Sequence, residues 1–236
     1  MVKLSINRKV SFALLIVCLL FLTACKKSPN ASNNRTNDKS NTITSDTNNK
    51  IGSKANSENT LSVTEKEKKF KELQNALETK YSDAHAAFFN HKYEEAIKIS
   101  NEIIMQDNSF YKAYNIKGIT LCFSNNFQEG MENIDKSLNI NPNFGYARFN
   151  KALAYELYGN YDDALKWYDK ALEVENYIWS YYGKASIYGR LGDVENTTKY
   201  LKIAIDMDAN VKNEAKKEKD FDKVRNSPEF KRLVEQ

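Results

Sequence analysis

From Phe70 to Leu233 the apolar side chains recur at steps of three and four, the spacing of one helical face. The pattern is clearest between Gly145 and Glu175. Tyr146, Phe149, Leu153 and Leu157 form one stripe, and Ala164, Leu165, Tyr168, Ala171 and Leu172 form a second. Between them Gly159-Asn160 breaks the run, because glycine accepts the left-handed backbone that closes a helix. The stretch therefore reads as two short amphipathic helices joined by a sharp turn. Neither is long enough to be stable alone, and the pair leaves apolar surface on both sides, so it requires neighbours of its own kind.

Those neighbours recur along the chain. Moving back 34 residues aligns Tyr161 with Phe127, Ala164 with Gly130, Tyr168 with Ile134, Ala171 with Ser137 and Ala152 with Gly118. A further 34 reaches Tyr93, Ala96, Ser100, Ile103 and Ala84, and a forward step of 33 carries Gly159-Asn160-Tyr161 onto Gly192-Asp193-Val194. This period, with an aromatic or Val followed by small residues three and ten positions later, resembles the tetratricopeptide repeat. The matches cover about Leu77 to Asn210. Asp83-Ala84 stands where the family has Leu-Gly, and Thr197 stands where it has a small Ala. The resemblance implies an all-α fold, a right-handed α-solenoid of about four helix pairs over residues 62–210.

The ends of the chain differ from this repeat. Lys3, Arg8 and Lys9 precede an uninterrupted apolar run from Phe12 to Leu22, the layout of a secretory signal. Leu22-Thr23-Ala24-Cys25 then resembles a bacterial lipobox. The resemblance implies cleavage after residue 24 and a covalent diacylglyceryl group on Cys25, with no other cofactor; an uncleaved single-span anchor is the alternative. Both place the domain outside the cytoplasm on the membrane. The Lys after the lipidated cysteine fits the outer face of a single-membrane cell, and a periplasmic setting stays open. Residues 25–61 are Asn, Ser, Thr and Lys with few large apolar residues, a composition of disordered tethers. Such a tether would span roughly 30–35 Å. Two capping boxes, Ser62-x-x-Glu65 and Thr64-x-x-Glu67, mark the expected start of order. After residue 210, Phe221, Val224, Phe230 and Leu233 give 211–236 an apolar side, and Ser227-Pro228 is a helix start. Segments of this form resemble the closing caps of bacterial tetratricopeptide proteins.

Charge narrows the function. The chain carries +4, but removing Lys3, Arg8 and Lys9 leaves about +1, and the tether holds most of the excess, so the helical part is about −2. The basic pI of 8.7 is thus no sign of nucleic-acid binding. After processing, Cys122 is the remaining thiol and His85 and His91 are the two histidines, six residues apart. No spacing among them suits a metal or a nucleophile–base pair, so neither a metal site nor a catalytic residue is expected and the chain reads as a non-enzyme. Function then falls to a surface. The family resemblance implies that the leading helices line a concave groove for a peptide or helix. Its facing residues would be Tyr81, His85 and Phe88; Lys112, Asn115, Ile119 and Cys122; Tyr146, Phe149, Leu153 and Glu156; and Trp179, Tyr182, Ser186 and Arg190. A stripe at helical spacing is as well explained by core packing, and both readings of the aromatic rows stand at this point. The favoured partner is a protein or peptide of the cell envelope. The alternative is a glycan or wall fragment stacked on the aromatic rows. Oligomeric state is not legible in the sequence.

Overall fold

The computed structural model describes residues 52–235, with side chains from Glu65 onward. The signal, Cys25 and the tether up to Ile51 lie outside the described residues. Helices run in the order α1 Gly52–Phe89, α2 Tyr93–Gln106, α3 Tyr111–Phe123, α4 Phe127–Ile140, α5 Gly145–Leu157 and α6 Tyr161–Leu172. They continue with α7 Ile178–Leu191, α8 Val194–Met207, α9 Val211–Lys217, a 3-10 turn Lys219–Phe221 and α10 Pro228–Glu235. The fold is an all-α solenoid. The helices α3, α5 and α7 each pack on the helix that follows, and they also touch one another in sequence.

One expectation fails at the N-terminal side. Residues 52–61 are helical rather than irregular, and the capping boxes at Ser62 and Thr64 fall inside α1. Lys54, Ala55, Glu58 and Leu61 are good helix formers, and no Pro or Gly after Gly52 stops the helix from propagating back. The chain divides between Glu78 and Thr79 into two compact units. In the first, the described side chains are mostly solvated, Lys69 pairs with Glu65 at 3.1 Å, and Phe70 and Leu73 are exposed.

The second unit repeats its turns with the same backbone each time. His91, Asn125, Gly159 and Gly192 all have left-handed φ, between 58° and 83°, at steps of 34, 34 and 33. The next amide in each case closes a bond to the carbonyl five residues back: Lys92 to Ala87, Asn126 to Leu121, Asn160 to Tyr155 and Asp193 to Tyr188, at 2.9–3.0 Å. This bond satisfies a carbonyl that the helix end would leave open.

Small residues set the closeness of each pair. Ala84, Ala152 and Ala185 and their partners Ala96, Ala164 and Thr197 are fully buried. In the second repeat both positions are glycine, and a Cβ on Gly118 would stand 2.7 Å from the Gly130 carbonyl. Thr197 is tolerated because its hydroxyl donates back to the Asp193 carbonyl at 2.5 Å. Successive repeats are joined by buried lysines. Lys151 pairs with Asp135 of the preceding repeat and lies 4.3 Å over the Trp167 ring of its own. Lys184 repeats this with Asp169 at 2.5 Å and Tyr200 at 4.2 Å. Each long stem is covered while its charge keeps a carboxylate and a ring face.

The end segment is built as its pattern predicts. Ser227 Oγ accepts from the Phe230 amide at 3.2 Å, starting α10, and Phe221, Val224, Phe230 and Val234 are buried. Leu233 is half-buried at the edge of that cluster.

Candidate functional site

In the repeat register most residues expected along the groove fall into three columns, contributed in turn by α1, α3, α5 and α7, with Gly189 at the position next to the expected Arg190. The first runs Tyr81, Asn115, Phe149 and Tyr182; the second His85, Ile119, Leu153 and Ser186; the third Phe88, Cys122, Glu156 and Gly189. The left-handed turns recur in the same register. Most of these side chains are enclosed, however. Phe88, Asn115, Ile119, Cys122, Phe149, Leu153, Trp179 and Tyr182 are all at most 7% exposed, which makes them core rather than ligand contacts. Phe149 touches the rings of Tyr146, Tyr168 and Tyr177, and Tyr182 those of Trp179 and Phe221. Enclosed rings offer no free face for a sugar, so the aromatic rows do not support glycan stacking. The repeat pattern identifies the inner face but not what lies over it.

The half-exposed members are Tyr81, Lys112, Tyr146 and Arg190. Two of them, Tyr81 and Tyr146, flank His85. His85 Nε2 meets the Tyr146 hydroxyl at 3.2 Å, and its ring lies 4.5 Å from Phe89 and 5.9 Å from Tyr81. Burial pushes the His85 imidazole down to about 4, so it is neutral at ordinary pH. Lys112 Nζ sits 5.7 Å over the Tyr81 ring. This leaves a patch of two phenol rings and one ammonium, held from beneath by a neutral histidine. Deeper in, Asn150 donates to Asn115 Oδ1 at 3.1 Å, so the amide expected to face a ligand is used between repeats.

A second cluster lies at the other end. Glu156 is buried, accepting from the Tyr168 hydroxyl at 2.6 Å and from Ser186 Oγ at 3.0 Å. Arg190 lies 3.6 Å from it and donates from Nη2 to Asp220 at 2.8 Å, with Nε at ion-pair distance from the other oxygen; Ser186 Oγ also reaches Asp220. Burial is the main reason the Glu156 carboxyl rises to about 7, with Asp220 adding and Arg190, Tyr168 and Ser186 opposing. Burial acts against the Arg190 charge, but Glu156 and Asp220 outweigh it and hold the guanidinium protonated. Sequence reading placed Glu156 and Arg190 on the inner face but missed Asp220 and Tyr168 as their partners. The available signal was a carboxylate in a column otherwise made of Phe88, Cys122 and Gly189.

Cys122 and His91 lie outside both clusters. The Cys122 thiol is buried, and desolvation pushes it up to about 12, far from a reactive thiolate. His91 is the left-handed turn residue, its Nδ1 3.0 Å from the Tyr93 hydroxyl. Among the described residues no group of three or more His, Cys, Asp or Glu is placed to hold a metal ion.

Comparisons with known proteins agree with this architecture. Family models described as tetratricopeptide repeat match residues 133–166 and 180–211. The chain is similar to the TPR repeat-containing protein MJ1428 of Methanocaldococcus jannaschii, 29% identical over 48% of this chain, but spans only 20% of that protein. It is 30% identical to the uncharacterized protein MJ0572 of the same organism, over 33% of this chain and 86% of the relative. In three dimensions it is similar to a structure described as the MamA RS-1 ArsTM double mutant, with a TM-score of 0.51 at 17% identity. That match covers 67% of this chain and 89% of the other, and shows the shared fold. On the repeat register, the four left-handed turns and these matches together, the chain contains tetratricopeptide repeats.

Proposed function

We propose that the protein is a membrane-anchored, non-catalytic lipoprotein whose repeats act as an adaptor for a protein or peptide of the cell envelope. The observation that carries the adaptor reading is the Tyr81–Lys112–Tyr146 patch. It gathers three of the four half-exposed residues expected along the inner face, and its rings are packed before a partner arrives. Fixed aromatics lose little entropy on binding and supply much contact area. The anchoring rests on the Lys3–Lys9 charges, the Phe12–Leu22 run and the Leu22-Thr23-Ala24-Cys25 lipobox. On this reading the lipid on Cys25 holds the domain at the extracytoplasmic face of the cell membrane, and residues 26–51 give it reach. Among the described residues no helix is long and apolar enough to cross a membrane.

The test has two arms. Labelled fatty acid is expected to enter the wild-type chain and not the Cys25→Ser variant; equal labelling removes the lipoprotein reading. Crosslinking capture from intact envelopes then compares wild type with a Tyr146→Ala, Lys112→Ala variant of unchanged helicity. A protein captured by the first and lost by the second supports the patch. Equal capture by both overturns it.

A further inference from the structure

The last repeat departs from the other three at one place on its inner face. Where α1, α3 and α5 carry Phe88-Phe89, Cys122-Phe123 and Glu156-Leu157, α7 carries Gly189-Arg190. The bare backbone makes a notch. A Cβ on Gly189 would stand 2.7 Å from the Phe221 ring and 2.8 Å from the Asp220 carbonyl, so any other residue would push the seated segment away. Beside the notch, Arg190 donates from Nη2 to the Asp220 carboxylate at 2.8 Å, and its Nε lies 2.8 Å from the other carboxylate oxygen without a hydrogen bond, so the site pairs a cation with an anionic side chain. Phe221 fills the apolar part, fully buried between the Tyr182 and Phe230 rings. The surface thus reads two neighbouring features, a carboxylate and then an aromatic ring.

The chain's own filler fits imperfectly. It is a single 3-10 turn between two short helices. The Tyr182 hydroxyl and Glu218 Oε2 are both buried without a protein hydrogen-bond partner. Buried unpaired groups cost free energy, so a segment that satisfies the Tyr182 hydroxyl has an advantage over the resident one. End units of a solenoid also touch neighbours on one side only and open at lower cost than the middle.

We propose that the Gly189–Arg190 notch is a binding site for an acidic-aromatic peptide of a protein partner, and that the Glu218–Phe221 segment occupies it as an intramolecular competitor. This rests on the adaptor reading and gives it a second contact with a stated partner chemistry. The resident segment lowers apparent affinity by the fraction of time it stays docked.

The probe is a fluorescent peptide of residues 216–225, Lys-Lys-Glu-Lys-Asp-Phe-Asp-Lys-Val-Arg, titrated into the full chain. A Phe221→Ala variant, whose own segment is loosened, is expected to bind it at least about tenfold more tightly than wild type. Adding Gly189→Ala, or replacing the peptide's Phe by Ala, is expected to remove that binding. A folded Phe221→Ala chain that ignores the peptide, or that binds a scrambled one equally, overturns the proposal. Should that variant not fold, hydrogen exchange on wild type decides. Amides of 216–225 are expected to exchange faster than those of α7 and α8, and faster still with excess peptide. Exchange at one common rate, unchanged by peptide, overturns the proposal. The titration uses no envelope, and the envelope capture uses neither Gly189 nor Phe221, so failure of the notch is told apart from failure of the adaptor reading.

Discussion

The first two repeats and the last two share a backbone and close their inner faces by opposite chemistry. Phe88, Phe89, Cys122 and Phe123 finish the early columns with apolar packing, edge to face where Phe88 meets Phe89 and Phe123. Glu156, Ser186, Arg190 and Asp220 finish the late ones with a buried hydrogen-bonded network. Apolar packing tolerates imprecision and depends on area. A buried network depends on every member being paired, and truncating one leaves another stranded. The difference teaches that the repeat register dictates where side chains meet, while the identity of each layer is chosen locally.

The largest effects should come from breaking each layer. Phe88→Ala is expected to cost about 3–5 kcal/mol, read as a lowered urea midpoint, because it leaves a cavity among the Phe89, Tyr93 and Phe123 rings. A loss below about 1 kcal/mol would show that the early layer collapses to fill it.

Acidity should separate the two regions next. His85 is neutral to about pH 4 in the fold and protonates near 6.5 when unfolded, so its region loses stability as pH falls through that window. Glu156 takes its proton at about 7 in the fold and near 4.5 when unfolded, so its region loses stability as pH rises between those values. Each effect amounts to about 3 kcal/mol when complete. Between about pH 4.5 and 6.5 they oppose and mask each other in the wild type. His85→Gln should expose the loss on the alkaline side, and Glu156→Gln the loss on the acid side. Parallel pH profiles for the two variants would remove the contrast.

Smaller effects sharpen the comparison at the helix pairs and turns. Gly118→Ala is expected to cost about 1–3 kcal/mol by thermal melting, since the added methyl meets the Gly130 backbone as well as Ile134. The early turns use His91 and Asn125 where the late turns use Gly159 and Gly192, all left-handed. His91→Gly should therefore stabilise by about 0.5–1 kcal/mol, and Gly159→Ala should destabilise by about as much. Nothing lies within 4 Å of a Cβ on Gly159, so the second change isolates backbone strain.

The helix pairs, their register and the end cap were legible because each depends on local spacing. Gly159 and Gly192 marked their own turns, and Ser227-Pro228 marked α10. His91 and Asn125 were not legible as turn residues, because neither announces a left-handed backbone as glycine does. The fate of Phe149 and Tyr182 was not legible either. Their helical face is a property of the stripe, but their enclosure depends on Tyr168, Tyr177 and Phe221, which arrive from other parts of the chain. The lysine junctions escaped for a related reason. Lys151 and Lys184 look like solvated charges until the preceding repeat brings its aspartate beneath them.

Those junctions give the protein a built-in unit of growth. Lys151 takes its carboxylate from the repeat before and its ring from its own repeat, and Lys184 does the same one step later. Both seams around 145–177 are therefore of one kind. A tandem copy of that stretch would meet the original through the same aspartate and ring, asking no new chemistry of either neighbour. Changes in copy number at this place are the mutations by which such a chain can lengthen or shorten while staying folded.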